Sequence, residues 1–182
     1  LLDLTNYYAA ANPTVIPEGP VVCKIGDTDY SSLSDAISAA NNAGSATTII
    51  LTSDITLSEK LTITGNVTIN GEGHTIIRGK TADDAWYTGT LFNVSGTLNL
   101  NNAVVDGANN WVFDKAKFES YYYGGFDRNK KTTCPFVFDD SLPAATSHLI
   151  DVSGGTLSLN NATIKNHFGV SWSSSGYNNA VT

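Results

Sequence analysis

The sequence predicts an all-β domain, a stack of short parallel strands closed at one end by a single helix. Three observations predict it. The chain is long enough for one core, with 182 residues of which 41% are hydrophobic and only 15% charged. Its apolar residues come in short runs rich in Thr, Ile, Val and Leu, split by Gly and polar turns. Above all, one segment is repeated. Leu91-Phe92-Asn93-Val94-Ser95-Gly96-Thr97-Leu98-Asn99-Leu100-Asn101-Asn102-Ala103-Val104-Val105 returns from Leu149 to Ile164, with one extra Gly near Gly154. A fainter copy runs from Val67 to Gly79.

Residues 1–20 hold Pro13, Pro17, Gly19 and Pro20, and read as an extended arm or linker. A first strand is expected at 21–25. The one convincing helix follows, at about 32–43. Leu33, Ala36, Ile37 and Ala40 fall on one helical face. Ser32 suits the N-cap, and Asp35 lies in the favourable dipole field of the first turn. Asn41, Asn42 and Gly44 end it. So short and weakly apolar a helix is stable only against other structure.

Strands are then expected at 47–51, 55–57, 61–63, 67–69, 75–77, 91–94, 97–100 and 103–105. A single copy of the repeat cannot bury its apolar side. Stacked copies bury one continuous core, with parallel strands about 4.8 Å apart. Asn70, Asn101 and Asn160 then form a column whose amides are able to bond along the stack. The helix covers the open first layer and its strand edges.

These residues resemble the right-handed single-stranded parallel β-helix of the pectate-lyase-like superfamily. The resemblance rests on the 30–51 stretch, which looks like that superfamily's capping helix and first turn. It rests also on Asn66-Val67-Thr68-Ile69-Asn70-Gly71 and Gly73-His74-Thr75-Ile76-Ile77, and spans about residues 21–182. It implies an all-β, right-handed single-stranded parallel β-helix with a short N-terminal capping α-helix. Since no C-terminal cap follows the third copy, further turns are expected after it. It does not choose a function, because the superfamily holds lyases, glycosidases, esterases, tailspikes and adhesins.

An aromatic-rich insertion, 108–147, separates the two clear copies. It is too long for a corner. It carries Trp111, Tyr121, Tyr122, Tyr123 and five Phe, half of the chain's aromatics. Trp111 and the three tyrosines are the candidate ligand-binding residues, since such rings stack on sugars and offer polar tips. Aligning the copies places Arg78, Asp106 and Lys165 in one column. The lyases of the superfamily that the chain resembles pair Ca²⁺-binding carboxylates with an Arg or Lys base, so the resemblance implies these three as the catalytic candidates if the protein is an enzyme. An opposite-charge ladder explains the same column. Asp83-Asp84 and Asp139-Asp140 are candidate Ca²⁺ carboxylates, although none fits a calcium-loop motif. No other cofactor is suggested. Cys23 and Cys134 lack metal-ligand spacing, and either form one disulfide or stay as thiols.

The net charge of −7 argues against a nucleic-acid partner. No apolar run is long enough for a membrane span. The composition suits an extracellular protein, secreted or attached to a cell surface or wall. The leading expectation is a non-catalytic, adhesin-type surface module that binds glycan or a host or cell-surface protein through 108–147. The alternatives are the N-terminal part of a polysaccharide lyase or glycoside hydrolase, and a structural stalk spacer.

Overall fold

The computed structural model describes residues 19–109, the backbone strands at 112–113 and 136–137, residue 143, and residues 147–167. The chain opens with a hairpin of β1 (Cys23–Ile25) and β2 (Thr28–Tyr30). Its two-residue turn puts Gly26 at the first central position with φ +55°. That is where a hairpin turn wants glycine. Helix α1 (Leu33–Asn42) follows. Then come β3 (Thr47–Leu51), β4 (Ile55–Leu57), β5 (Leu61–Ile63), β6 (Asn66–Asn70) and β7 (Thr75–Arg78). After these lie β8 (Phe92–Val94), β9 (Thr97–Asn101), β10 (Val104–Asp106), β11 (Val112–Phe113) and β12 (Phe136–Val137). The described strands finish with β13 (Ile150–Val152), β14 (Thr156–Asn160) and β15 (Thr163–Lys165).

The strands sort into three main sheets. The first has the order β14-β9-β6-β3-β1-β2, the second β15-β10-β7-β4 and the third β13-β8-β5. From β3 onward the chain visits first, second and third sheet in turn, and neighbours within each sheet are parallel. β11 and β12 form a separate antiparallel pair.

The all-β, single-stranded parallel β-helix expected from the sequence is therefore corrected. Among the described residues the strands form three sheets of parallel strands, no closed solenoid is seen, and the first sheet is mixed. Within it β1 runs antiparallel to both β2 and β3. A ten-residue helix belongs to the same core. A sequence repeat reports which strands lie side by side. It carries no information on whether the sheets close on one another, and the Gly26 hairpin adds an antiparallel edge that no repeat announces.

Within the sheets, the register expected for the clear copies is observed. Thr97 pairs with Thr156, Leu98 with Leu157 and Leu100 with Leu159. The extra glycine does not shift this pairing, because Gly154 takes φ +83° in the corner 153–155 and the strand restarts in phase. Asn70, Asn101 and Asn160 do lie in one column. The amide-to-amide bond, however, is one residue further on, from Asn161 Nδ2 to Asn102 Oδ1 at 2.8 Å. Asn102 and Asn161 both sit in the left-handed region that tight corners demand.

The helix buries Leu33, Ala36, Ile37 and Ala40, the four residues its periodicity selects. Ser32 Oγ accepts from Asp35 N at 3.3 Å. At the far end Asn41 donates to Thr62 O at 2.8 Å and accepts from Thr64 N and Gly65 N, both at 3.0 Å. One asparagine thus pins the helix to the corner between the third and first sheets.

The core beneath is apolar and mostly aliphatic. Ile49, Ile63, Val67, Ile69, Ile76, Phe92, Val94, Leu98, Leu100 and Val105 are all fully buried. β14 lies at its margin, where Leu157 is half-buried and Leu159 is 49% exposed.

Cys23 is a free, fully buried thiol whose Sγ donates to Ser32 O at 3.8 Å. Cys134 lies outside the described residues. Burial, aided by nearby Asp35, pushes the Cys23 thiol up to about 12 from its ordinary 9.0. The fold holds this proton more tightly than the unfolded chain does. The resulting stability is complete below pH 9 and drains away as pH rises from 9 towards 12. Urea unfolding across that window should show a falling midpoint in the wild type and a flatter one in Cys23→Ala. Equal slopes in both proteins would refute the assignment.

Candidate functional site

Three polar side chains are buried among the described residues: Arg78, Asp106 and Asn109. All three sit where the chain leaves the second sheet for the third. The same corner hosts the longest connections. It uses residues 58–60 in the first pass, 79–91 in the second and 107–149 in the third. The corner leading from the third sheet to the first spans only 64–65, 95–96 and 153–155. It is held tight by close backbone approach. A Cβ at Gly96 would meet the backbone of Thr64 at 2.5 Å, inside any real contact distance.

Arg78 ends β7 and is 1% exposed. Its Nη1 donates to Tyr87 O and Gly89 O, both at 2.7 Å. Its guanidinium lies 5.9 Å from the Tyr87 ring centroid. Burial pulls the guanidinium below its ordinary value, and Tyr87 acts in the opposite sense. Nε and Nη2 are buried with no hydrogen-bond partner. Arg78 is the internal post on which the 79–90 loop hangs. The loop is further braced by Tyr87 OH donating to Thr90 O at 3.1 Å and Tyr87 N to Gly79 O at 3.0 Å.

The loop's outer part carries Lys80, Asp83, Asp84 and Trp86. Lys80 and Asp84 form an ion pair at 2.9 Å, and the Lys80 ammonium sits 5.7 Å from the Trp86 ring centroid. Asp83 is exposed on the same turn. Among the described residues no group of three or more His, Cys, Asp or Glu is placed to hold a metal ion. Asp139 and Asp140 lie outside the described residues.

Asp106 ends β10 and is 7% exposed. Its Oδ1 accepts from Ala108 N at 2.8 Å, and Asn166 Nδ2 reaches both carboxylate oxygens at 3.0 and 3.1 Å. Lys165 Nζ lies 3.4 Å from Oδ2. The carboxylate is saturated with donors, so it works as a staple between neighbouring strands rather than as a free base.

The predicted column is therefore only half assembled. Asp106 pairs with Lys165 on one side and with Ile77, not Arg78, on the other. Alternation along the strand then sends the side chains of Arg78 and Asp106 to opposite faces. Ala103 belongs to the corner, so the second-sheet strand starts one residue later than the apolar run suggests.

Asn109 guards the neck of the 108–147 insertion. Its Nδ2 donates to Pro143 O at 2.7 Å, tying the outgoing chain to the returning chain. Thr90 Oγ1 donates to Ser147 Oγ at 3.2 Å, which joins this neck to the 79–90 loop. Trp111, Tyr121, Tyr122 and Tyr123 lie outside the described residues.

Sequence reasoning missed Asn109, Trp86 and Tyr87. The length of the 79–91 connection was the available signal, because it breaks the short spacing of the other corners. No helix among the described residues is long and apolar enough to cross a membrane. Compared with protein-family models, with curated proteins and with solved structures, the chain matches none.

Proposed function

We propose that the protein is a non-catalytic, adhesin-type module of an extracellular or cell-surface protein, binding glycan or a protein partner through the 108–147 insertion. One observation carries this reading. The long connections share a single corner, with the insertion's neck tied to the 79–90 loop through Thr90 and Ser147. Loops gathered on one side of a rigid scaffold are the usual seat of recognition. The aromatic content of the insertion adds to this. The saturated Asp106 carboxylate favours a structural role for the Asp106–Lys165 pair over a lyase role.

The test is a glycan array followed by titration of the best hit, with and without Ca²⁺. The expected outcome is binding without product release, weakened at least about tenfold by Trp111→Ala. Turnover of a polysaccharide would overturn the reading, as would affinities unchanged in both Trp111→Ala and the triple Tyr121, Tyr122, Tyr123→Ala variant.

A further inference from the structure

We infer a second interaction surface, distinct from the insertion: the free edge of β4 takes an extended, basic peptide segment of a partner protein as an added strand. β4 ends its sheet among the described residues. Its hydrogen-bonding phase can be read directly. Leu57 O accepts from Gly79 N at 2.7 Å, so Leu57 faces β7. Alternation turns the N–H and C=O of Thr56 to the opposite, open side. Proline and lysine, two of the devices that blunt strand edges, are absent between Asp54 and Ser58, although β4 is itself short at three residues.

Beside this edge lies a groove of about 480 Å³ between β4 and the start of α1. Ile55, Leu57 and Leu33 contribute its apolar lining, and Ser32, Thr56 and Ser58 are among its polar groups. Its charge selects the occupant. Asp54 and Glu59 line it, and no Lys or Arg does. The Asp54 side chain is 71% exposed. The backbone N–H of Thr75 and then His74 hold its carboxyl below the usual range, so it stays charged at neutral pH. A strand adding here gains main-chain bonds at Thr56 and ion pairs from alternate basic side chains. The segment that precedes Gly19 is a poor rival. It brings Glu18 and the donor-less Pro13 and Pro17, with no Lys or Arg.

The probe is a fluorescent seven-residue peptide of alternating Thr and Val carrying two Lys, titrated into the intact protein by anisotropy. Its twin has Glu in place of both Lys. The basic peptide should bind at least about tenfold more tightly than the acidic one. Asp54→Asn with Glu59→Gln should erase that preference. Thr56→Pro removes the edge donor without touching a β4–β7 bond, and should abolish binding. Since that variant could misfold, a peptide N-methylated at alternate residues supplies the same test on the unaltered protein. Equal binding of both twins would overturn the inference, as would indifference to N-methylation. Binding that appears only after deletion of residues 1–18 would also overturn it, by assigning the edge to the chain's own arm.

Discussion

Leu98→Ala lowers the unfolding free energy by about 2–5 kcal/mol, the cost of a buried leucine cavity. Leu98 is fully buried on β9, one strand in from the β14 edge, flanked in register by Val67 on one side and Leu157 on the other. Deleting its side chain opens a void that neither neighbouring strand is able to fill without breaking its own ladder. Leu157 occupies the equivalent place in the next copy but is only half-buried. Leu157→Ala should therefore cost less than about 2 kcal/mol. The ordering is checked by urea denaturation of both variants at equal m-value. If Leu157→Ala proves as damaging as Leu98→Ala, the margin of the core has been placed wrongly.

Arg78→Ala should be of similar size, about 2–5 kcal/mol, and for a different reason. It strips two carbonyls, Tyr87 O and Gly89 O, of their donor and removes the post beneath the 79–90 loop. The loop should then open to proteases, with trypsin cutting after Lys80 at urea concentrations that leave the wild type intact. Arg78→Met restores the volume without the donors. It should recover part of the stability lost in Arg78→Ala, because the cavity is refilled, yet leave the Lys80 cleavage fast. A loss within about 1 kcal/mol in Arg78→Ala, with Lys80 still protected, would show that the loop holds itself.

How much of this was legible in the sequence follows from what each signal encodes. The helix was legible because Leu33, Ala36, Ile37 and Ala40 share a period that only a helix satisfies. The pairing of Leu98 with Leu157 was legible because the two copies are nearly identical over that stretch. Arg78 was misplaced by one residue because three small apolar residues in a row, Ala103 to Val105, do not show which of them belongs to the corner. β2 was missed because Thr28-Asp29-Tyr30 has no apolar pattern, and the glycine turn before it was not weighed. The closure of the sheets was not legible at all. It depends on connection geometry rather than on strand content. The candidate site was half visible: the insertion announced itself by length and aromatics. The buried Arg78 and the brace at Asn109 are products of tertiary packing.

The contrast between the two corners has a consequence for change over time. Where Gly96 packs on Gly65 and Gly155 on Gly96, one methyl group added at Gly96 or Gly155 collides with the layer before it, so that side of the molecule resists variation. Where the chain leaves the second sheet, the same scaffold accepts connections from 58–60 up to 107–149 without losing strand register. Loop closure grows costlier only with the logarithm of length, so lengthening there is cheap. Diversification by insertion is thereby channelled to a single flank. New sequences grafted at 58–60, the shortest of the three connections, should be accepted there with the stack beneath them undisturbed.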